Sequence, residues 1–444
     1  MLSKFPIPDR QTFYLIAALA AIGLIAIFIP ALTLLWMISA AIIAVILVAD
    51  LLISTFISNP KDIITVERHL PGSIPLGVSR HIELIIHNKS SKPQNLDIFD
   101  HFPNEVHAEG LPVNISIPGE QHAEIQYKII ANQRGKLIFP RVQIKLQSVF
   151  KFWRINQYLP VTSETNVYPN FAAISHYALL ATDNNLSQMG IIKKRRRGEG
   201  QDFHQLREYR EGDAMRQIDW KATSRVQKLI SREYQDEKDQ EIIFMLDCGH
   251  RMMAKDDDLS HFDHTLNALL LLSYVALRQG DAVGLMTFSG EDQRWFSPRK
   301  GQHNVQQILN TVYDLQPSTS SPDYSKAATD LLIRHKKRAL VIILTNTRDE
   351  DGDDLLPAIS ILKKRHLVLL ASLRESSIGD MLDKPIEDLN DALDNSAAHH
   401  YLQQRKSTFE ELVNNGIRAM DVSPDKLTVD LINAYLSIKS SGAL

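Results

Sequence analysis

The chain has 444 residues, 44% hydrophobic and 23% charged, which is enough for several packed cores and too apolar for wholesale disorder. Lys and Arg total 49 against 52 Asp and Glu, a net charge of -3, so nucleic-acid binding is disfavoured as the main task. The single cysteine, Cys248, excludes a disulfide framework and a cysteine-based zinc site.

Two uncharged apolar runs open the chain, 13–29 and 31–49, separated by Pro30. Each is about the length that crosses a hydrocarbon layer as a helix, at roughly 1.5 Å per residue. A signal peptide with Lys4 and Arg10 as its basic end is the competing reading. Two adjacent runs without a small-residue cleavage site favour a transmembrane helical hairpin over residues 1–58. Lys4 and Arg10 precede the pair, Lys61 and Arg68 follow it, and the turn carries no basic residue. The positive-inside bias then puts both ends, and the body that follows, on the cytoplasmic side of the inner membrane.

From 60 to 170 the pattern changes to short alternating runs such as 81–86, 124–129 and 142–146. Turn residues separate them, among them Pro71-Gly72, Pro118-Gly119 and Arg134-Gly135. Period-two alternation at this spacing predicts an antiparallel β-sandwich, a fold that more often carries contacts than chemistry. Its histidines, His69, His81, His87, His101, His107 and His122, have no metal-ligand spacing.

Residues 190–240 are densely charged. A basic run, Lys193 to Arg197, precedes Gly198-Glu199-Gly200, which lacks the further glycine or Gly-Lys-Ser/Thr of a phosphate loop. Beyond it, Phe203, Tyr209 and Trp220 are set among many Arg, Asp and Glu. Such a mixture suits either a clasp between domains or a partner surface. Arg207, Tyr209, Arg210, Asp213, Arg216, Asp219, Trp220 and Arg225 are the candidate partner-binding residues. Asp213, Arg216 and Asp219 are three apart, a spacing that one helical turn would bring within ion-pair reach.

The stretch from Gly198 to Arg225 strongly resembles the signature of domain-of-unknown-function family 58. The matching residues are Asp202-Phe203, Leu206-Arg207-Glu208-Tyr209, Gly212-Asp213, Arg216-Gln217-Ile218-Asp219-Trp220 and Ala222-Thr223-Ser224-Arg225. Asp202 stands where that family more often has Glu. The resemblance extends over essentially the whole chain. It implies a membrane-anchored protein ending in a von Willebrand factor A-like domain, with a MoxR-type AAA+ ATPase and other von Willebrand A-like proteins as partners.

Residues 241–444 independently read as a doubly wound α/β domain. Strand-like runs at 242–247, 282–288, 339–345, 367–373 and 417–422 alternate with helical patterns at 262–279, 304–314, 324–335 and 425–438. Ligands of such sheets bind at the carboxyl ends of the strands, which draws attention to Asp247, Ser318 to Ser321, Thr345 and Asn346. The family resemblance implies here the metal-ion-dependent adhesion site, Asp-x-Ser-x-Ser with a distant Thr and Asp that hold Mg²⁺ through oxygen ligands. In the first loop of this chain Asp247 keeps its type. Gly249 and Arg251 replace the two serines, Asn346 replaces the late Asp, and Thr319 is the match for the threonine. Asp247, Thr319 and Asn346 therefore form a degenerate site at which no bound metal is expected, with Arg251 pairing with Asp247 in the cation's place.

Enzyme signatures are absent: no His-Glu-x-x-His, no Walker sequence and no Gly-x-Ser-x-Gly. The reading is a non-enzymatic membrane-anchored adaptor that works with a MoxR-type ATPase in assembly or maturation of other proteins. The rival is a metal-dependent or hydrolytic enzyme built around Asp247.

Overall fold

The computed structural model describes residues 4–54, 63–170, 202–210, 213, 215–235, 240–256 and 259–443. The basic run 193–197 and the Gly198-Glu199-Gly200 triplet lie outside these residues. The chain divides into two compact units, Met1–Tyr168 and Pro169–Leu444.

Two apolar helices lie near the start of the first unit, Arg10–Ala26 and Pro30–Leu52. The first begins three residues before the apolar run because Asp9 caps it, accepting the Arg10 N–H at 2.7 Å. It ends at Ala26 rather than reaching 29. Proline disfavours helical geometry in the residue before it, and Ile29 is accordingly extended at φ -126° and ψ 93°. The two helices touch where Trp36 covers Gly23. A Cβ on Gly23 would lie 3.0 Å from the indole, and Trp36 Nε1 donates to the Leu19 carbonyl at 2.9 Å. Among the described residues, Leu32–Leu52 is the helix long and apolar enough to cross a membrane; Arg10–Ala26 is apolar but shorter.

The same unit holds a five-stranded antiparallel sheet and a four-stranded one. The five run in the order Lys4–Pro8, Trp153–Leu159, Arg141–Gln147, Gln94–His101, Val113–Ile117. The four are Ile64–His69, Arg80–Asn88, His122–Ala131 and Val106–Glu109. Alternate residues are buried in each, Ile82, Leu84 and Ile86 in one, Leu96, Ile98, Val142 and Ile144 in the other. This is the alternation that the sequence shows. A small third sheet adds a parallel pair, Ser73–Pro75 with Ser163–Tyr168, to the strand Gly135–Phe139.

A buried ion pair joins the two large sheets. Arg68 donates to Asp100 through Nε at 2.9 Å and Nη2 at 2.5 Å, and Tyr127 donates to the same carboxylate at 2.6 Å. Arg68, read in the sequence as a flank of the hairpin, is thus a core residue whose charge is matched inside the fold.

The helices are fastened to the five-stranded sheet at one end. Their feet meet the turn between Arg141–Gln147 and Trp153–Leu159. Asp50 is fully buried and accepts from the Ser148 hydroxyl at 2.6 Å and the Phe150 N–H at 3.1 Å. Trp153 Nε1 donates to the Leu47 carbonyl at 3.0 Å. Asp9 accepts from Arg154 Nε at 3.0 Å and Gln147 Nε2 at 3.2 Å, and the Thr12 hydroxyl donates to the Phe152 carbonyl. The strand Lys4–Pro8, ahead of the first helix, forms the sheet's edge, so helices and sheet share one continuous hydrogen-bonded framework.

The second unit begins with a two-stranded hairpin, Asp202–Glu208 with Ile230–Gln235. Its main body is a six-stranded sheet in the order Trp295–Arg299, Ala282–Phe288, Glu241–Asp247, Leu340–Thr345, Leu367–Leu373, Arg418–Val422. Numbered along the chain this is 3-2-1-4-5-6, the doubly wound order. Every pair is parallel except Trp295–Arg299, an antiparallel edge strand that the α/β alternation did not anticipate. Gly284 permits that edge to approach. A Cβ there would lie 2.8 Å from Pro298 N and 2.9 Å from Phe296 O. The central strands are apolar almost throughout because helices cover both faces. Tyr324–Arg334 and Gly352–Lys363 pack on one face, where Ile243, Met245, Val341 and Ile343 are buried. His261–Arg278, opened by a Ser260/Asp263 capping box, packs against Pro424–Ser440.

Candidate functional site

The strand order reverses between Glu241–Asp247 and Leu340–Thr345, and the crevice at such a switch point is where doubly wound sheets bind ligands. Asp247 stands there, 1% exposed. Its Oδ2 accepts from the Thr345 hydroxyl at 2.6 Å and its Oδ1 from the Gly249 N–H at 2.8 Å. Tyr324 adds its hydroxyl 2.9 Å from that of Thr345. Burial pushes the Asp247 carboxyl above the usual range, against the pull of these donors.

Thr319, Asn346 and Asp247 have separate surroundings. Thr319 is exposed. Its loop docks by backbone, Ser318 N–H to Cys248 O at 2.7 Å and His250 N–H to Ser320 O at 3.0 Å. Thr345 turns its side chain to Asp247, whereas the next residue, Asn346, donates to Glu375 Oε1 at 2.9 Å. Gly249 closes the position further. A Cβ there would lie 3.0 Å from Ser320 O and 3.1 Å from Asp247 Oδ1. The docked loop therefore fills the space that a ligand serine would need.

The expected Arg251–Asp247 pair is corrected. Arg251 is buried, but its guanidinium pairs with Asp351 and with Glu350, the latter at 2.5 Å. Asp351 lies at the start of Gly352–Lys363 and also accepts the Arg348 N–H at 2.8 Å. Two carboxylates there outbid one that Thr345 and Gly249 already satisfy.

Beside Asn346 lies a buried polar network that sequence reasoning missed. His261 is fully buried with Nε2 2.6 Å from Asp256 Oδ2, and Asp256 also accepts the Ser376 N–H at 3.1 Å. Arg405, 3% exposed, donates to Asp421 Oδ1 at 2.8 Å, Ser372 Oγ at 2.8 Å and Leu373 O at 2.7 Å. It thereby ties Leu389–Asn414 to the ends of the last two strands. Nothing in the polar run around Arg405 marks it, because its partners lie far along the chain. Among the described residues no cluster of three or more His, Cys, Asp or Glu could hold a metal.

The signature folds as the hairpin and its connection. Between the strands lie a single turn, Met215–Gln217, and a short helix, Trp220–Val226. Arg207 grips Asp213 with both Nη atoms at 2.8 Å, and Tyr209 donates its hydroxyl to the Asp213 carbonyl at 3.1 Å. The Arg207 fork and the Arg210 N–H hold the Asp213 carboxyl below its ordinary value. Asp219 caps the short helix through the Ala222 N–H at 3.0 Å and pairs with Arg232 at 2.9 Å. The expected triad of Asp213, Arg216 and Asp219 on one helical face is corrected. The intervening turn is too short, and each carboxylate takes an arginine from a strand instead. Trp220 is 67% exposed and Met215 80%, with Arg210, Arg216 and Arg225 exposed near them in sequence. The side chains of Asp202 and Phe203 lie outside the described residues.

Residues 205–401 match the family described as protein of unknown function DUF58, just under half of the chain. The match runs from the signature hairpin into the long helix, so the resemblance read from the signature is shown over this stretch. No curated protein matches the sequence. Among solved structures, the chain is similar to BatB from Bacteroides thetaiotaomicron, a conserved hypothetical protein, at 16% identity and TM-score 0.28, over 45% of this chain and 98% of that one. It is similar to the SpRpn10 VWA domain at 10% identity and TM-score 0.26, over 44% and 94%. Escherichia coli alpha-2-macroglobulin matches at 14% identity and TM-score 0.19, over 23% of this chain and 9% of that one. The chain thus spans less than a tenth of that molecule.

Proposed function

We propose that the protein is a non-enzymatic membrane-anchored adaptor whose signature hairpin docks a partner. The observation that carries this reading is the division of labour within the hairpin. Arg207 and Tyr209 satisfy Asp213, and Arg232 satisfies Asp219, while Trp220 and Met215 remain in solvent. Tryptophan and arginine are the side chains that most often dominate interface energy, and free surface seldom leaves a tryptophan so open. The family resemblance points to a MoxR-type AAA+ ATPase as the partner, in assembly or maturation of other proteins. Lys4, Arg10 and Lys61 around the apolar helices favour the inner membrane with the body in the cytoplasm. Neither Mg²⁺ nor catalysis is assigned to the strand-end site, because Asp247 is already satisfied by protein donors.

The test is co-purification with the MoxR-type ATPase of the same organism. Trp220→Ala should weaken capture more than ten-fold, about 1.4 kcal/mol, with the melting temperature nearly unchanged. Undiminished capture by this variant sinks the docking role.

A further inference from the structure

A cleft of about 270 Å³ opens at the foot of the first helix, lined by Ile7, Pro8, Asp9, Arg10, Phe13, Lys145, Arg154 and Asn156. Its lining combines apolar side chains with cations. Ile7 on the edge strand and Phe13 on the first helix, the latter 60% exposed, give it apolar side chains from both elements. Three cations line it as well, Arg10 from the start of the helix and Lys145 and Arg154 from the sheet. Arg154 is held by Asp9 and Asp97, each at 3.0 Å. Arg10 and Lys145 make no ion pair among the described residues. Asp9 is the one carboxylate in the lining, and its oxygens are already turned to Arg10 N–H, Arg154 and Gln147. The cleft therefore presents uncompensated positive charge beside exposed hydrocarbon.

Its depth is set by the fastening of both helix feet. Asp9 and Asp50 are locked to the turn after Arg141–Gln147, and Trp153 reaches the carbonyl of Leu47, one turn inside the second helix. On that turn Val149 and Phe150 are more than half exposed, although Phe150 N–H is bound to the buried Asp50. A tryptophan, two bare apolar side chains and free cations at one level are what the interfacial layer of a bilayer accommodates.

We propose that this cleft binds the phosphodiester headgroup of an anionic phospholipid, with Arg10 and Lys145 on the phosphate and Ile7 and Phe13 against the start of the acyl chains. The inference rests on the reading of the apolar helices as a membrane anchor. The rigid foot then has a purpose: it seats the five-stranded sheet on the headgroup layer in one orientation.

The test uses the full chain extracted in mild detergent, delipidated, and titrated with phosphatidylglycerol or phosphatidylcholine under native mass spectrometry. Wild type should retain phosphatidylglycerol at least ten-fold better than phosphatidylcholine. The double variant Arg10→Gln/Lys145→Gln should lose that preference while its melting temperature and phosphatidylcholine retention stay as in wild type. Equal retention of the two lipids, or an undiminished preference in the variant, overturns the proposal. So does inorganic phosphate that forms the same adducts and is lost in the same variant, since the site would then serve a free anion. Alkaline carbonate washing of membranes separates this from the anchor itself. Release of the chain without detergent would remove the anchor reading, whereas retention with no lipid preference removes only the headgroup site.

Discussion

Asp247 shows how little a residue type says without its surroundings. The Asp247 carboxylate is 1% exposed with a protein donor on each oxygen, so a cation would have to enter a closed pocket and compete with Thr345 and the Gly249 N–H, and Gly249 cannot become serine without moving Ser320. Mg²⁺ at millimolar levels should therefore leave the melting temperature of the full chain unchanged, in wild type and in Gly249→Ser/Arg251→Ser alike. A cation at 100 times its dissociation constant would contribute about 2.7 kcal/mol to the folded state. A saturable upward shift abolished by Asp247→Ala would refute this. His366 offers a second test at the same scale. It is 4% exposed before the strand Leu367–Leu373, and burial, with His335 and Arg365 adding to it, lowers its pKa to about 4. A depressed histidine pKa means that the unfolded chain binds the proton first. Stability is then full above the unfolded value near 6.5 and falls as pH drops toward 4, by on the order of 3 kcal/mol. Thermal melts of His366→Leu across that window should show a flatter dependence than wild type; an equal slope assigns the acid loss elsewhere.

At the scale of elements, the signature hairpin and the foot of the helices follow one logic. Each is a short piece of structure held by charge-assisted hydrogen bonds rather than by a core. In the hairpin, Arg207 and Asp213 close the turn that presents Trp220. Arg207→Ala should loosen it and reduce partner capture together with its protection from hydrogen exchange, whereas Trp220→Ala should reduce capture alone. Equal exchange protection in both variants would show that the fork does not hold the turn. Asp213 contributes fully above the ordinary aspartate range, around pH 3.9, and its contribution disappears on acidification through its lowered folded value. Much of this was readable in the sequence as residue types, since Arg, Asp and three aromatics stand out there. The pairing was not. Spacing suggested Asp213 with Arg216, but the hairpin brings Arg207 and Arg232 across from its strands, and strand register is a tertiary matter.

For the whole molecule, the two apolar helices and the basic residues around them make a topological prediction. A reporter fused after Leu444 should be active only in a cytoplasmic format, and protease added to intact spheroplasts should spare the body. Digestion from outside would reverse the orientation. The sequence by itself determined the element types: continuous apolar runs for the two N-terminal helices, alternation for a sheet-rich domain, and α/β alternation for a doubly wound sheet. Those follow from local periodicity, which each segment carries alone. Only the tertiary structure decided how the pieces close on one another. It placed Lys4–Pro8 as the edge strand beside Trp153–Leu159, buried Arg68 against Asp100, and turned Arg251 from Asp247 to Asp351. It also sank Arg405 among the strand ends. In each case the partners are far apart along the chain, and a charged group leaves water only where distant residues supply its full set of hydrogen bonds.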